Sequence, residues 1–186
     1  MTVQRADARR NYTRILAVAE EEVAAHGADA SMEQIARTAG VGSATVRRHF
    51  PSKQALLEAV FAERTEALCT RASALTDAPD ARAALLDWLG ALTDYATSAR
   101  GVADLLAGGA ISDQDHVDAC AAKLSGSADP LLQRAKQAGA VGPGITLGDL
   151  ITLVTGLALA TEHHQNPNAE ARRLLTLTLE GISPRG

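Results

Sequence analysis

The chain has 186 residues, 46% of them hydrophobic and 22% charged, enough to bury a core without disulfide bridges and too apolar for wholesale disorder. Aromatic residues make up only 3% while Ala and Leu abound, a balance that favours helices and disfavours a β-sandwich. The formal charge of −4 argues against a nucleic-acid binder until it is divided: residues 1–53 carry eight Lys or Arg against six Asp or Glu, and the remainder ten against sixteen.

In chain order, the first helix is expected over residues 7–25, where Tyr12, Ile15, Leu16, Ala19 and Val23 recur at helical spacing, with Gly27 as its C-terminal cap. Ser31 and Gln34 have capping-box spacing, Ser31 as N-cap and Gln34 reaching back, so a second helix starts there and ends before Gly40. A third, short helix covers residues 43–50 and is stopped by Pro51; Ser52 then caps a longer helix over residues 52–74. After a break at 76–80, residues 81–98 are periodic, with Leu85, Trp88, Leu92 and Tyr95 on one face. Residues 102–106 form a short segment closed by Gly108-Gly109. Helix is expected over 112–124, then a bend at Ser125-Gly126-Ser127 and Pro130, then helix again to 138. Residues 139–144 read as a loop, and two helices over 147–163 and 169–182 close an all-α chain of about nine helices. No alternating strand pattern, internal repeat or low-complexity tract is present.

The two short helices joined through Ala39-Gly40-Val41 carry the functional signal. Gly40 suits the positive φ of a sharp interhelical turn, small Ala36 permits close crossing, and Ile35, Val41 and Val46 supply a core between the helices. Val46 and Phe50, four residues apart, share the inner face. Ala44, Arg47 and Arg48 point the other way, with Ser43 on the flank. Arginines on such a face can bond guanine O6 and N7 bidentately or grip phosphates. Thr45, His49 and Lys53 lie where hydroxyl, imidazole and ammonium can hold the backbone on either side. The locally positive N-terminal part suits such a partner, because only the contacting surface has to be basic.

These residues resemble the TetR family of repressors. The matching stretches are Ser31-Met32-Glu33-Gln34-Ile35-Ala36, Ala39-Gly40-Val41-Gly42-Ser43-Ala44-Thr45 and Arg48-His49-Phe50-Pro51-Ser52-Lys53, continuing into Gln54-Ala55-Leu56-Leu57. The resemblance implies a three-helix DNA-binding head on residues 1–53, a connecting helix over 52–74, and a helical body on 75–186 that binds an effector and dimerises. It implies a repressor released from a palindromic double-stranded DNA operator by a small molecule. Gly42, Ser43, Ala44, Thr45, Arg47, Arg48, His49 and Lys53 would then meet DNA. Arg47 departs from the family, which usually has an aromatic residue there, so base preference is expected to differ from that of typical members.

Trp88, Leu89, Leu92 and Tyr95 are the candidate effector-binding residues of the body. The helix at 147–163 spreads Leu147, Leu150, Ile151, Leu153, Val154, Leu157 and Leu159 over more than one face, so one side is expected to pack on its own body and the other on a second copy. Leu150, Val154 and Leu157, with Leu174 and Thr178 of the last helix, are the expected homodimer contact, and Gly156, Ala158 and Ala160 allow close approach.

No nucleophile elbow, phosphate loop, zinc-protease motif or dinucleotide fingerprint occurs, so no enzyme and no cofactor is expected. Adjacent His163 and His164 point about 100° apart on a helix and cannot easily chelate one ion, so no metal is expected either. Cys69 and Cys120 stand in no ligand spacing and read as buried free thiols. The basic N-terminus lacks the apolar segment of a secretory signal, and the most apolar run, residues 150–160, is too short to span a bilayer, so a cytoplasmic protein without membrane contact is expected.

Overall fold

The computed structural model describes residues 2–26, 29–98 and 114–181. Among the described residues there are eight helices and no strand: α1 (Thr2–His26), α2 (Met32–Thr38), α3 (Ser43–His49), α4 (Lys53–Leu75), α5 (Ala81–Thr97), α6 (Gln114–Gln137), α7 (Leu147–Thr161) and α8 (Pro167–Glu180). The helical segment expected at 102–106 and the cap expected at Gly27 lie outside the described residues. No described helix is long and apolar enough to cross a membrane.

The chain divides into two units, and the division falls inside α4, after Glu63. In the first unit α1 packs on α2 and α2 on α3. Ile15, Leu16, Ala19 and Val23 of α1 are buried, as are Ile35, Ala36, Val46, Phe50 and Leu56. In the second unit α5 lies centrally, packed against α6, α7 and α8. Its Trp88 is completely buried and donates its indole N–H to the Leu68 carbonyl of α4 at 3.1 Å. Asp94 of α5 accepts from the Arg172 guanidinium of α8 and, at 2.8 Å, from the Asn168 amide; Asn168 also reaches Thr97 at 2.9 Å. Gly90 lies beside this pair, where a Cβ would sit 3.2 Å from an Arg172 nitrogen. Arg134 of α6 donates to the Thr76 and Ala78 carbonyls, the latter at 2.8 Å, and so holds the turn between α4 and α5.

Two local expectations need correction. The capping box at α2 is only half formed. Ser31 Oγ accepts from the Gln34 N–H at 3.3 Å, but the Gln34 side chain turns to Thr38 and Arg37 instead of returning. The Ser31 N–H is taken by Glu22 of α1, Oε1 at 3.3 Å. A complete box forms at α7, where Thr146 and Asp149 exchange bonds of 3.1 and 2.8 Å. The second correction is the bend at 125–130: α6 runs through Gly126 and Pro130 unbroken. Leu124, Ala128, Leu131, Leu132 and Ala135 form a buried stripe across the site of the proline. Burying three leucines contributes roughly 5–9 kcal/mol, which outweighs the roughly 3 kcal/mol that an interior proline costs.

Candidate nucleic-acid interface

The turn between α2 and α3 is built by Gly40, at φ 63°. The Val41 N–H reaches the Ala36 carbonyl at 3.0 Å and the Gly40 N–H reaches Arg37 at 3.1 Å, the paired bonds of a Schellman C-cap. An L side chain at that φ carries a Cβ penalty, which glycine avoids. Gly42 then begins α3 in extended conformation, and its carbonyl accepts from the Thr45 and Val46 N–H groups at 2.8 and 3.2 Å.

That geometry fixes which way each α3 side chain points. Val46 and Phe50 are buried in the head. Ser43, Ala44, Arg47 and Arg48 are exposed, together with Gly42, while Thr45, His49 and Lys53 are half-buried at the edges of the same surface. Among the described residues no ion pair engages Arg47, Arg48 or Lys53, so their charges face solvent. Ser52 accepts from the Ala55 N–H at 3.0 Å and starts α4 directly behind Pro51, which holds Lys53 beside the end of α3. The arrangement brings all eight sequence-predicted contact residues to one short helix and its two flanks.

Tyr12 is the residue that the sequence reading underused. It sits on the apolar stripe of α1 yet is 38% exposed. Its ring stacks on Phe50 at 5.1 Å and 29°, and meets the His49 ring edge-on at 6.0 Å and 70°. Tyr12 therefore ties α1 to the C-terminal end of α3. Its place at the end of the apolar stripe, with its polar tip, is the signal that could have found it.

The body residues are placed differently. Trp88, Leu89 and Leu92 are packed in the core, while Tyr95 borders a cavity of about 350 Å³ between α4 and α5 that Arg64, Leu68, Arg71 and Ser98 also line. Asp94, at the edge of the same cavity, has its carboxyl held below the ordinary carboxylate range, chiefly by the Arg172 hydrogen bonds. On α7, Leu150 and Val154 are buried by their own chain, Val154 to 1% exposure. Leu157 and Leu174 are half-buried and Thr178 is exposed, beside Leu159 at 38% and Leu177 at 44%. Leu157, Leu159, Leu174 and Leu177 of the last two helices are therefore left accessible by their own chain, while Leu150 and Val154 are covered.

Residues 15–60 match the family described as bacterial regulatory proteins, tetR family, and residues 80–184 match the C-terminal domain of SbtR-like transcriptional regulators. The chain is similar to a solved TetR transcriptional regulator from Streptomyces coelicolor, with 33% identity, a TM-score of 0.72, and coverage of 94% of this chain and 99% of that one. It is similar to a TetR transcription regulatory protein from Mycobacterium vanbaalenii at 30% identity and TM-score 0.69, covering 97% and 99% of the two chains. The fold is shared with FadR from Bacillus subtilis, solved in complex with stearoyl-CoA, at 19% identity and TM-score 0.63 over 92% and 100%. No curated protein matches the chain.

Proposed function

From the premise that the chain belongs to the TetR family of DNA-binding transcriptional regulators, and so is a regulator rather than an enzyme, we propose that it is a cytoplasmic repressor that holds a palindromic operator as a homodimer and leaves it when a small molecule binds the body. The observation that carries the DNA-contact part is the face of α3: Arg47 and Arg48 are exposed and without ion pairs among the described residues, while Val46 and Phe50 of the inner face are buried.

Arg47 and Arg48 read base edges in the major groove, and Gly42, Ser43 and Ala44 are small enough to let the helix approach closely. Thr45, His49 and Lys53 hold phosphates on either side. An arginine at position 47 offers a bidentate donor pair that an aromatic ring cannot, so guanine is the base that this position selects.

Dimerisation supplies the second head, because paired recognition helices must meet half-sites about 34–36 Å apart or a multiple of that. Support comes from the exposed apolar side chains of α7 and α8 and from Gly156. Nothing lies within 4 Å of where a Gly156 Cβ would be, so the body itself does not require a glycine there. Mid-helix glycine costs about 1 kcal/mol relative to Ala, and close approach by a neighbouring helix would account for its use. The effector lodges in the body against α5, with Tyr95 at the α4–α5 cavity; it favours release only to the extent that it binds the released state more tightly.

The test is binding of the full-length protein to duplexes selected from a random pool. Arg47→Ala or Arg48→Ala should weaken the selected duplex by about 1–3 kcal/mol and relax preference at one position. Lys53→Ala should weaken all duplexes alike. Unchanged affinity in all three variants would remove α3 from the interface.

A further inference from the structure

The net positive charge of the head does not come from the stretch that contains α3, where the acids of the preceding helices offset Arg47 and Arg48. Residues 1–14 carry four arginines and one aspartate, whereas residues 15–53 carry four Lys or Arg against five Asp or Glu. The whole excess of the head therefore lies on the first half of α1. An N-terminal stretch of a helix could be basic only for solubility, so its position matters. Tyr12 fixes that position, since its ring is stacked on Phe50 and edge-on to His49 at the end of α3. Residue 9 precedes Tyr12 by three and so shares its stripe of the helix, about 4.5 Å further along the axis.

The arginines of this stretch differ in how they are engaged. Arg10 pairs with Asp7, and Arg14 bonds the Asn11 side chain at 3.3 Å. Arg9 is exposed and makes no ion pair among the described residues. It thus presents an uncompensated guanidinium one helical turn from Tyr12, whose ring meets His49 and Phe50 at the end of α3.

We infer that Arg9 is a DNA-backbone contact, gripping a phosphate outside the base pairs that α3 reads, and that the first half of α1 supplies the sequence-independent part of binding. The inference rests on the proposed reading of α3 and extends it. Charge complementarity names the occupant: Tyr12 ties this part of α1 to the end of α3, and the polymer that meets α3 carries a regular line of phosphates. With Asp7 neutralising Arg10, Arg10 contributes less than Arg9.

The experiment is a salt titration of full-length protein on one selected and one random duplex, between about 50 and 200 mM salt. Removing a single grip on a phosphate flattens the slope of log K against log salt by about 0.9. Arg9→Ala, present in both heads of the assembly, should flatten it by about 1.8. It should weaken both duplexes by the same factor and leave the melting temperature unchanged. Arg9→Lys, which keeps the charge, should restore the slope, and Arg10→Ala should change it less. A slope for Arg9→Ala equal to that of the wild type overturns the inference, as does a weakening confined to the selected duplex. If Arg48→Ala still weakens the selected duplex in that case, the reading of α3 stands without Arg9. A wild-type protein with no affinity for either duplex overturns both.

Discussion

Replacing Trp88 by Phe separates a core side chain from a ligand-pocket side chain. Trp88 is completely buried, and its indole N–H is spent on the Leu68 carbonyl at 3.1 Å. That carbonyl lies inside α4 and also has a helical donor four residues on, so removing the indole leaves it paired. The missing hydrogen bond therefore costs about 0.5–1.5 kcal/mol. Phenylalanine also lacks part of the bicyclic ring, and the smaller apolar surface with its residual void adds about 1–2 kcal/mol. The expected destabilisation is about 2–3 kcal/mol, which for a chain of this length lowers the melting temperature by about 4–12 °C. Urea unfolding followed by far-ultraviolet circular dichroism measures it. Effector affinity, once a ligand is in hand, should change little, because Trp88 has no accessible surface. A destabilisation below about 1 kcal/mol combined with altered ligand affinity would refute this reasoning. It would return Trp88 to the pocket wall that the sequence alone suggested.

The assembly surface is tested by a contrasting pair. Leu177→Arg, at an exposed position, should keep each chain folded within about 0.5 kcal/mol while sedimentation shifts from dimer to monomer; Val154→Arg, at a buried one, should unfold the body outright. A wild type that sediments as a monomer at micromolar concentration would count against the dimer. Ser31→Ala removes the N-cap of α2 and should cost about 1 kcal/mol of head stability, read from thermal melts. Asp94→Asn tests the α5–α8 lock. The carboxyl of Asp94 is depressed in the folded state, so its contribution is full above the ordinary carboxylate pKa and is lost as pH falls through the lowered folded value. Because both partners are about half exposed, the contribution at neutral pH is at most about 1 kcal/mol. The variant should accordingly be slightly less stable at pH 7 and lose less on acidification, and an unchanged acid limb of the stability curve would count against the lock.

What the sequence made legible was written in local signals. Gly40, Ser52 and Pro51 place the ends of α2, α3 and α4 within a residue or two, because turn and cap chemistry acts between neighbours. The two-sided character of α3 was readable for the same reason, since Val46 and Phe50 alternate with Arg47 and Arg48 at fixed angles. Signals that depend on distant partners were not. Gln34 was expected to close the α2 cap, but Glu22, nine residues before Ser31 on another helix, holds the Ser31 N–H. Pro130 reads as a break until the buried stripe around it is known. A helix as apolar as α7 shows that two sides are covered, yet not which side its own chain takes, so Leu150 and Val154 could not be told from Leu157. The Arg172–Asp94 and Arg134–Thr76 contacts join residues 78 and 58 positions apart, and no periodicity announces them.

The uninterrupted course of α6 has a consequence for how that helix breathes. Proline brings no amide proton to position 130, and the carbonyl it would have bonded belongs to Gly126, an exposed residue with open space where a side chain would stand. Water can reach that carbonyl without disturbing the buried stripe on the opposite side. Native-state deuterium uptake should therefore divide α6 into two protection blocks, with the amides after Pro130, anchored by Leu131, Leu132 and Ala135, opening independently of those before Gly126. The body would then possess an internal joint within a single helix, at a point where the backbone lacks one rung of its ladder.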